Sequence, residues 1–374
     1  MLVLWLPPQF DPSSATQAAD LLSARLEAFQ VANPNIKIEV RIKSVSGPGG
    51  LLDSLTATNA AAPGNLPTLI ALPRSDLETA ALKSLIFPLD SLSKLVDDPD
   101  WYAYAHQLAF IQGIAYGLPF AGDAMLLLYR PSKVPNLPSD WPAIFNQNLL
   151  LAFPAADPQG LMALELYLSA GGTIKDAQGR PTLQVDALTK VLRLLDDGTK
   201  QGTFQTGLAQ YQTDGQAWQA YRDQKNQWLV SWSSRFVSEL PVDTTAAPLP
   251  SLGTQPYTLA TGWLWALSEP DPNLRPAAVS LAEFLSASDF LAQWSAATGY
   301  LPTRPSALAG WSNQSLKTLL SPVVLAAQAR PSNDLLSSLG PVLQEATLQV
   351  IRQQADPAQA AEAAVERLTV PPTK

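Results

Sequence analysis

The sequence of 374 residues contains no cysteine and a single histidine, His106. The absence of cysteine excludes disulfide bonds, thiolate metal sites and cysteine nucleophiles. One histidine cannot form a multi-histidine metal site and leaves little material for a Ser-His-Asp triad. Carboxylates are therefore the one catalytic chemistry that this composition offers, and we expect neither a metal nor a cofactor.

Long apolar runs and an excess of positive charge are also missing. No window approaches the eighteen uncharged apolar residues that a membrane-spanning helix needs. Lysine and arginine number 24 against 32 aspartate and glutamate, a net charge of −8. This balance disfavours nucleic acid and anionic membrane surfaces as partners, because both bind basic patches. Met1 is followed directly by a strand-like segment without a basic leader, so the pattern of an export signal is absent from this sequence.

What the sequence does contain is a chain long enough for two domains, with ten tryptophans. One apolar stretch, residues 116–129, is interrupted only at Gly122-Asp123. Leu118-Pro119 favours an extended backbone before the interruption, and Gly122 permits a sharp change of direction. The pattern predicts a segment that leaves one compact unit and enters another, with one carboxylate, Asp123, at the step. The alternative is a buried strand pair with an acidic turn.

The first ninety residues alternate between strand and helix patterns. Strands are predicted at residues 2–6, 36–42 and 66–72, with helices after each and a further helix from Ser91. This order predicts a parallel sheet covered on both faces, which binds ligands beyond the carboxyl ends of its strands. Gln9, Ser46 and Arg74 lie at those ends. The loop at residues 47–50 lacks the glycine spacing of a dinucleotide-binding motif.

A second α/β unit is predicted from residue 149 onward. Strands are expected at 149–153 and 227–232, and helices at 161–170, 185–196 and 215–225. A further extended segment covers residues 259–267, followed by helices and a rigid loop at 299–305. From Asn333 the chain is predicted to be almost entirely helical, and we find no internal repeat.

Five segments, taken in order and spacing, are similar to bacterial extracellular solute-binding proteins of the maltose-binding type, the family 1 receptors of ABC sugar importers. They are Leu2-Val3-Leu4-Trp5 before a helix ending near Asn33-Pro34, Asn65-Leu66-Pro67, Gly117-Leu118-Pro119 with Asp123 and Tyr129, Gly262-Trp263 before an Ala/Phe-rich helix, and Gly299-Tyr300-Leu301-Pro302-Thr303-Arg304. The resemblance covers nearly the whole chain, and the last segment is the most specific.

The resemblance implies an α/β, two-lobe periplasmic-binding-protein-like fold of type II. Each lobe would be a mainly parallel sheet flanked by helices, with the ligand cleft between the lobes. The N-terminal lobe would comprise residues 1–121 plus 263–312, and the C-terminal lobe residues 122–262 plus 313–374. The chain would cross between lobes near Gly122, Thr261 and Gly310. Such proteins close around a ligand by a hinge motion.

The function implied by the resemblance is that of a non-enzymatic receptor. It would capture a mono- or oligosaccharide outside the cytoplasm, as a monomer with a lipid anchor, and deliver it to ABC transporter permease subunits. Arg130, where the family usually has asparagine, and the lack of tryptophan after Asn333 leave the particular ligand open. Two alternatives remain: a receptor for a polyamine or glycerol phosphate ester, and a glycosidase, which needs two carboxyl groups roughly 5–10 Å apart.

A sugar presents apolar C–H faces and a rim of hydroxyls, so its site needs flat aromatic rings and planar polar side chains. The resemblance places Trp232 as a stacking ring and Asp123 as a ligand-binding carboxylate. Trp263 lies at a predicted crossing between lobes. The other predicted ligand-binding residues are Arg74, Arg235, Arg304, Tyr300, Gln9, Ser46 and Trp5. For each tryptophan the alternative is core packing, and for each arginine an exposed, solvated position.

Overall fold

A computed structural model describes residues 1–369, and the chain divides into two compact units. The first unit comprises residues 1–124 and 260–330, and the second begins at Met125, continues to Leu259 and resumes at Pro331. The chain therefore passes between units three times. Residues 370–374, at the end of the predicted C-terminal lobe, lie outside the described residues.

The strands of the described chain alternate with helices in the predicted manner. They are β1 (Leu2–Leu6), β2 (Ile38–Ile42), β3 (Leu69–Pro73), β4 (Phe110–Ile111), β5 (Ile114–Ala115), β6 (Gly117–Tyr129), β7 (Leu151–Ala152), β8 (Trp228–Trp232), β9 (Thr245–Ala247), β10 (Thr258–Leu267) and β11 (Ala327–Ala329).

The helices are α1 (Gln17–Ala32), α2 (Leu51–Ala61), α3 (Arg74–Leu82), α4 (Ala103–Ala109), α5 (Trp141–Phe145), α6 (Leu161–Ser169), α7 (Val185–Lys200), α8 (Asp214–Arg222), α9 (Ser233–Glu239), α10 (Arg275–Leu285), α11 (Ser288–Thr298), α12 (Pro305–Ala309), α13 (Gln314–Ala326), α14 (Asn333–Ile351) and α15 (Pro357–Thr369). The prediction of a helix from Ser91 is wrong, because only a 3-10 turn forms there, at Lys94–Asp97.

The sheet of the first unit has the order β2-β1-β3-β10-β6, in which β6 takes part through residues 117–124. Strand β1 pairs in parallel with β2 and β3, whereas β10 runs antiparallel between β3 and β6. The run Leu2-Val3-Leu4-Trp5-Leu6 has no polar residue because helices cover both faces of such a sheet. The carboxyl ends of β1 and β3 place Gln9 and Arg74 at one edge.

The second unit is built around the remaining half of β6, Met125–Tyr129. That half pairs antiparallel with β8 and with β9, and β8 pairs in parallel with β7. Helices α7, α14 and α15 pack on one another. Helix α8 begins with a capping box, in which Thr213 and Gln216 pair reciprocally with each other's backbone N–H groups.

The third passage between units lies after Arg330, whereas the sequence placed it near Gly310. The reason is that β11 stays with the first unit: it pairs with β10, and the Arg330 N–H donates to the Ala260 carbonyl at 2.8 Å. The Ala329 N–H also donates to the side chain of Gln107 at 3.1 Å. These long-range contacts hold α13 and β11 to the first unit.

Gly122 is required for space and not for a turn. Strand β6 runs without interruption through this position, where the sequence predicted a sharp change of direction. Gly122 exchanges two backbone hydrogen bonds of 2.8 Å with Leu301, and a Cβ atom on Gly122 would lie 2.0 Å from the hydroxyl oxygen of buried Tyr104. Only a residue without a side chain permits this close approach.

Candidate functional site

In the first unit, four of the predicted site residues come together around the Tyr300 hydroxyl. Gly299, at φ 83°, ends α11 in the left-handed region and turns the chain into Tyr300. The hydroxyl hydrogen-bonds with the side chains of Trp263 and Gln9, and the Asp123 carboxylate lies near enough to act on it electrostatically. Because an indole N–H can only donate, Tyr300 is the acceptor from Trp263.

Burial, with a smaller contribution from the Asp123 charge, raises the pKa of Tyr300 to about 12. The phenol therefore stays neutral at physiological pH and keeps a proton that it can donate. Trp263 is 8% exposed and its ring packs edge-on against Phe10 at 5.3 Å, which favours core packing for this indole. In this group Gln9 is exposed, and Tyr300 and Asp123 are partly exposed.

In the second unit, the predicted residues Trp232 and Arg235 lie where β8 runs into α9. Trp232 is the last residue of β8 and is partly exposed. Arg235 donates from Nε to Asp214 at 2.8 Å, and the Ser231 hydroxyl donates to the other Asp214 oxygen at 2.6 Å. Desolvation raises the pKa of Asp214, while the Ser231 hydrogen bond and the Arg235 charge act in the opposite direction.

A cavity of about 240 Å³ opens beside Trp232, and every residue that lines it belongs to the second unit. The lining consists of Met125, Pro154, Asp157, Leu161, Met162, Gln212, Thr213, Asp214, Val230, Ser231 and Trp232. The Asp157 carboxylate accepts the backbone N–H groups of Gln159 and Leu161, both at 3.1 Å, at the start of α6. The cavity thus combines an aromatic ring, two carboxylates and an apolar wall.

Residues 24–318 match the sequence model of a family described as bacterial extracellular solute-binding protein. The chain belongs to this family. The match covers well over half of the sequence and confirms the resemblance inferred from the five segments. No curated protein sequence gave a significant match.

Solved structures share the fold of this solute-binding protein at low sequence identity. The sugar-binding protein MalE from Xanthomonas citri has a TM-score of 0.79 at 18% identity, with 98% of this chain and 96% of that chain covered. The cyclic α-maltosyl-1,6-maltose binding protein from Arthrobacter globiformis has a TM-score of 0.79 at 16% identity, covering 98% and 97%. Maltose-bound MalE3 from T. maritima has a TM-score of 0.72 at 18% identity, covering 98% of each chain. These similarities confirm the predicted α/β solute-binding-protein fold, whereas the sheet of each unit is mixed and not mainly parallel as predicted.

All three predicted arginines of this solute-binding protein form ion pairs within the chain, and two of them, Arg74 and Arg304, are buried. Arg74 is 9% exposed and donates to Glu78 at 3.1 Å and to the Phe110 carbonyl at 3.3 Å. Its surroundings lower the pKa of the guanidinium through desolvation, which Glu78 opposes. A ligand role for Arg74 remains a prediction, but its contacts favour a structural one.

Arg304 is the second of these arginines, at 4% exposure. It pairs with Asp100 at 3.2 Å and Asp98 at 3.4 Å, and its guanidinium carbon lies 4.1 Å from the centre of the Trp101 ring. Two carboxylates and one indole ring thus surround this buried cation, which favours a structural role for Arg304.

Trp5 and Ser46 are the remaining predicted site residues of the first unit. Trp5 is 2% exposed inside β1, with the Lys43 ammonium 4.9 Å from its ring centre, which favours core packing. Ser46 is exposed in the loop after β2 and lines another cavity together with Asp76.

Asp157 and Asp214 are site candidates that the sequence reasoning missed. Asp157 follows β7 at its carboxyl end, so the rule that identified Gln9 and Arg74 in the first sheet would have found it in the second. Asp214 follows the capping threonine of α8. Carboxylates are common in the first turn of a helix, so this position by itself does not indicate a ligand site. The approach of Asp214 to Arg235 and Ser231 is a tertiary contact.

The described residues contain no cluster of three or more acidic or histidine side chains placed to hold a metal ion. Among the helices of residues 1–369, none combines the length and the apolar character that crossing a bilayer requires.

Proposed function

We propose that this solute-binding protein captures a carbohydrate and delivers it to the permease of an ABC importer, without catalysing a reaction on it. The observation that carries the proposal is the cavity beside Trp232, where a partly exposed indole face lies next to the carboxylates of Asp157 and Asp214. An aromatic face covers the C–H side of a sugar ring, and carboxylates accept hydrogen bonds from its hydroxyls.

The first unit contributes a second set of groups suited to a sugar. Tyr300 offers a neutral hydroxyl held by Trp263 and Gln9, and Asp123 lies beside it. The names of the structural neighbours support the same class of ligand, since the T. maritima protein is described as maltose-bound and the A. globiformis protein as binding a cyclic maltosyl-maltose.

The charges of the described site disfavour both non-sugar alternatives, the anionic glycerol phosphate ester and the cationic polyamine. A glycerol phosphate ester needs converging cations, yet Arg235 is paired with Asp214 and Arg74 with Glu78. A polyamine needs several unneutralised acids. Asp214 is paired with Arg235, and Asp157 already accepts two backbone N–H groups. Neutral, hydroxyl-rich ligands fit these groups best.

The family is one of extracellular proteins, so the chain acts outside the cytoplasm. Attachment by a lipid anchor, a monomeric state and docking to permease subunits are parts of the proposal that follow from the resemblance.

A thermal-shift screen tests the ligand class. A ligand that binds only the folded state at about 100 times its Kd stabilises it by roughly 2.7 kcal/mol. We expect at least one mono- or oligosaccharide to raise Tm, and spermidine and glycerol 3-phosphate to leave it unchanged. A shift with spermidine or glycerol 3-phosphate and none with any sugar would contradict the proposal, and turnover of a bound oligosaccharide would identify a glycosidase instead.

Enclosure of the sugar between two lobes remains a prediction, with a separate test. The units are joined by three passages of the chain, after Ala124, Leu259 and Arg330. In a hinge motion, a small number of residues at such connections absorb the change in backbone torsion angles. Shifting the ratio of closed to open protein from 1:99 to 99:1 requires that the ligand bind the closed form more tightly than the open form by about 5.5 kcal/mol. We expect a smaller radius of gyration in solution scattering with the sugar found by the thermal screen, and an unchanged curve at saturation would rule the motion out.

A further inference from the structure

The cavity beside Trp232 has a floor and a rim of different chemistry. Its floor is formed by Met125, Met162 and Val230, which are 5%, 3% and 1% exposed. Two of the three methionines of the chain therefore lie in this one cavity. The rim carries Asp157 and Asp214, both partly exposed.

The rim can accept hydrogen bonds from a ligand. An ionised carboxylate has about four lone-pair positions. Asp214 accepts hydrogen bonds from Ser231 and Arg235, one on each oxygen, and Asp157 accepts two backbone N–H groups, again one on each oxygen. Each oxygen thus retains an acceptor position for a ligand hydroxyl.

The floor cannot pair with a hydroxyl in the same way. Thioether and aliphatic groups form no strong hydrogen bonds, and a thioether sulfur is only a weak acceptor. Ser231, at 2% exposure, is the one polar residue among the buried residues of the lining, and its hydrogen is donated to Asp214 at 2.6 Å. A ligand hydroxyl directed at the two methionines would lose its water without gaining a partner.

The volume of the cavity limits what enters it. At about 240 Å³ it is smaller than the roughly 300–1,000 Å³ of sites that enclose a drug-sized molecule. One monosaccharide unit is a suitable occupant, and an oligosaccharide would place only one residue there.

We propose that this cavity selects a 6-deoxyhexose unit, with its C5 methyl group against Met125, Met162 and Val230 and its ring hydroxyls toward Asp157 and Asp214. This specificity rests on the proposed carbohydrate-binding function and adds the chemical class of the sugar. A 6-deoxyhexose lacks the C6 hydroxyl, which would otherwise face the floor without a hydrogen-bond partner. Its ring hydroxyls can still donate hydrogen bonds to the carboxylates of the rim.

The expected discrimination follows from the cost of an unpaired hydroxyl. An apolar pocket distinguishes a ligand from its hydroxyl-bearing analogue by about 100-fold at most. We therefore expect a 6-deoxyhexose to bind roughly ten- to 100-fold more tightly than the hexose of the same configuration.

Isothermal titration calorimetry on matched pairs tests the proposal: L-fucose with L-galactose, D-fucose with D-galactose, L-rhamnose with L-mannose, and 6-deoxyglucose with glucose. Tighter binding of the deoxy sugar in the pair with the highest affinity is the expected result. Equal or tighter binding of the parent hexose overturns the specificity and leaves carbohydrate binding intact. If none of the eight sugars binds but an oligosaccharide raises Tm, the specificity alone fails. If no sugar of any kind is bound, both proposals fail.

Two variants assign the preference to the floor. Met162→Gln places an amide of similar length there and is expected to reduce the deoxy preference at least fivefold by supplying a partner for the hydroxyl. Met162→Leu keeps the floor apolar at similar volume and is expected to retain the preference for the deoxy sugar. Both variants are compared with the parent protein by circular dichroism and Tm. An unchanged preference in folded Met162→Gln would show that the floor does not set specificity.

Discussion

Replacing Trp232 by alanine is expected to weaken sugar binding by about 2–4 kcal/mol, or roughly 30- to 1,000-fold in Kd. Trp232 ends β8, is partly exposed and lines the cavity of the second unit. Burying one indole face against a sugar removes on the order of 100 Å² of apolar surface, which contributes roughly 2–3 kcal/mol. Calorimetry with the sugar found in the thermal screen measures the loss.

Two controls separate this loss from a general effect on the fold. Trp232→Phe keeps an aromatic face and should retain most of the affinity. Trp101→Ala removes an indole that is 8% exposed and stacks under Arg304, so it should lower stability and leave affinity unchanged. Equal affinities for Trp232→Ala and Trp101→Ala would contradict the assignment of Trp232 to the ligand site.

Replacing Glu165 by glutamine is expected to remove a large pH dependence of stability. Glu165 lies on α6, is 1% exposed and accepts the Leu259 backbone N–H at 2.5 Å. Burial raises the pKa of Glu165 to about 8, and the hydrogen bond from Leu259 only partly offsets that shift. The folded protein therefore keeps a proton on this carboxyl across a pH range in which the unfolded chain has lost it.

The sign follows from proton linkage. An unfolded glutamate has a pKa of about 4.3, so between that pH and about 8 the folded state binds more protons and stability falls as pH rises. A shift of this size amounts to a loss on the order of 3–4 kcal/mol between pH 5 and pH 8. Glutamine resembles the protonated acid, so Glu165→Gln should exceed the stability of the parent protein only slightly at pH 5 and by roughly a further 3–4 kcal/mol at pH 8.

Urea unfolding at pH 5 and pH 8 gives the free energies needed for this comparison. Tyr257 interacts electrostatically with Glu165, but burial raises the pKa of Tyr257, so its phenol stays neutral over this range. Glu27→Gln changes an exposed glutamate in α1 and is the matched control. If Glu165→Gln and Glu27→Gln had the same effect at pH 8, the buried carboxyl would not be the source of the pH dependence.

Much of the candidate site could be predicted from sequence because its residues follow strand ends. Trp232 is the last residue of an apolar strand, and Tyr300 follows a glycine that ends a helix. Gln9 follows β1 in the same way. Strand ends and helix ends are set by local patterns of apolar and turn residues, and each such pattern spans only a few residues of the sequence.

The roles of the arginines could not be predicted in that way. Arg304 and Asp98 are separated by 206 positions, and only folding brings them to 3.4 Å. Arg235 and Asp214 are closer in sequence, but their ion pair depends on how α8 packs on β8. An arginine reads the same in sequence whether its partner is a ligand or an internal carboxylate, so the tertiary structure alone distinguishes the two.

The sequence by itself determined the class of chemistry and the order of strands and helices, since composition excludes thiol and multi-histidine sites and periodicity is local. Tertiary structure decided why Gly122 must be glycine, where the third passage between units lies, and which carboxylates line the Trp232 cavity. Each of these depends on neighbours far away in the chain: Tyr104 beside Gly122, Ala260 beside Arg330, and Trp232 beside Asp157. Contacts between distant segments leave no periodic trace in either segment, and for that reason they become visible only in the folded protein.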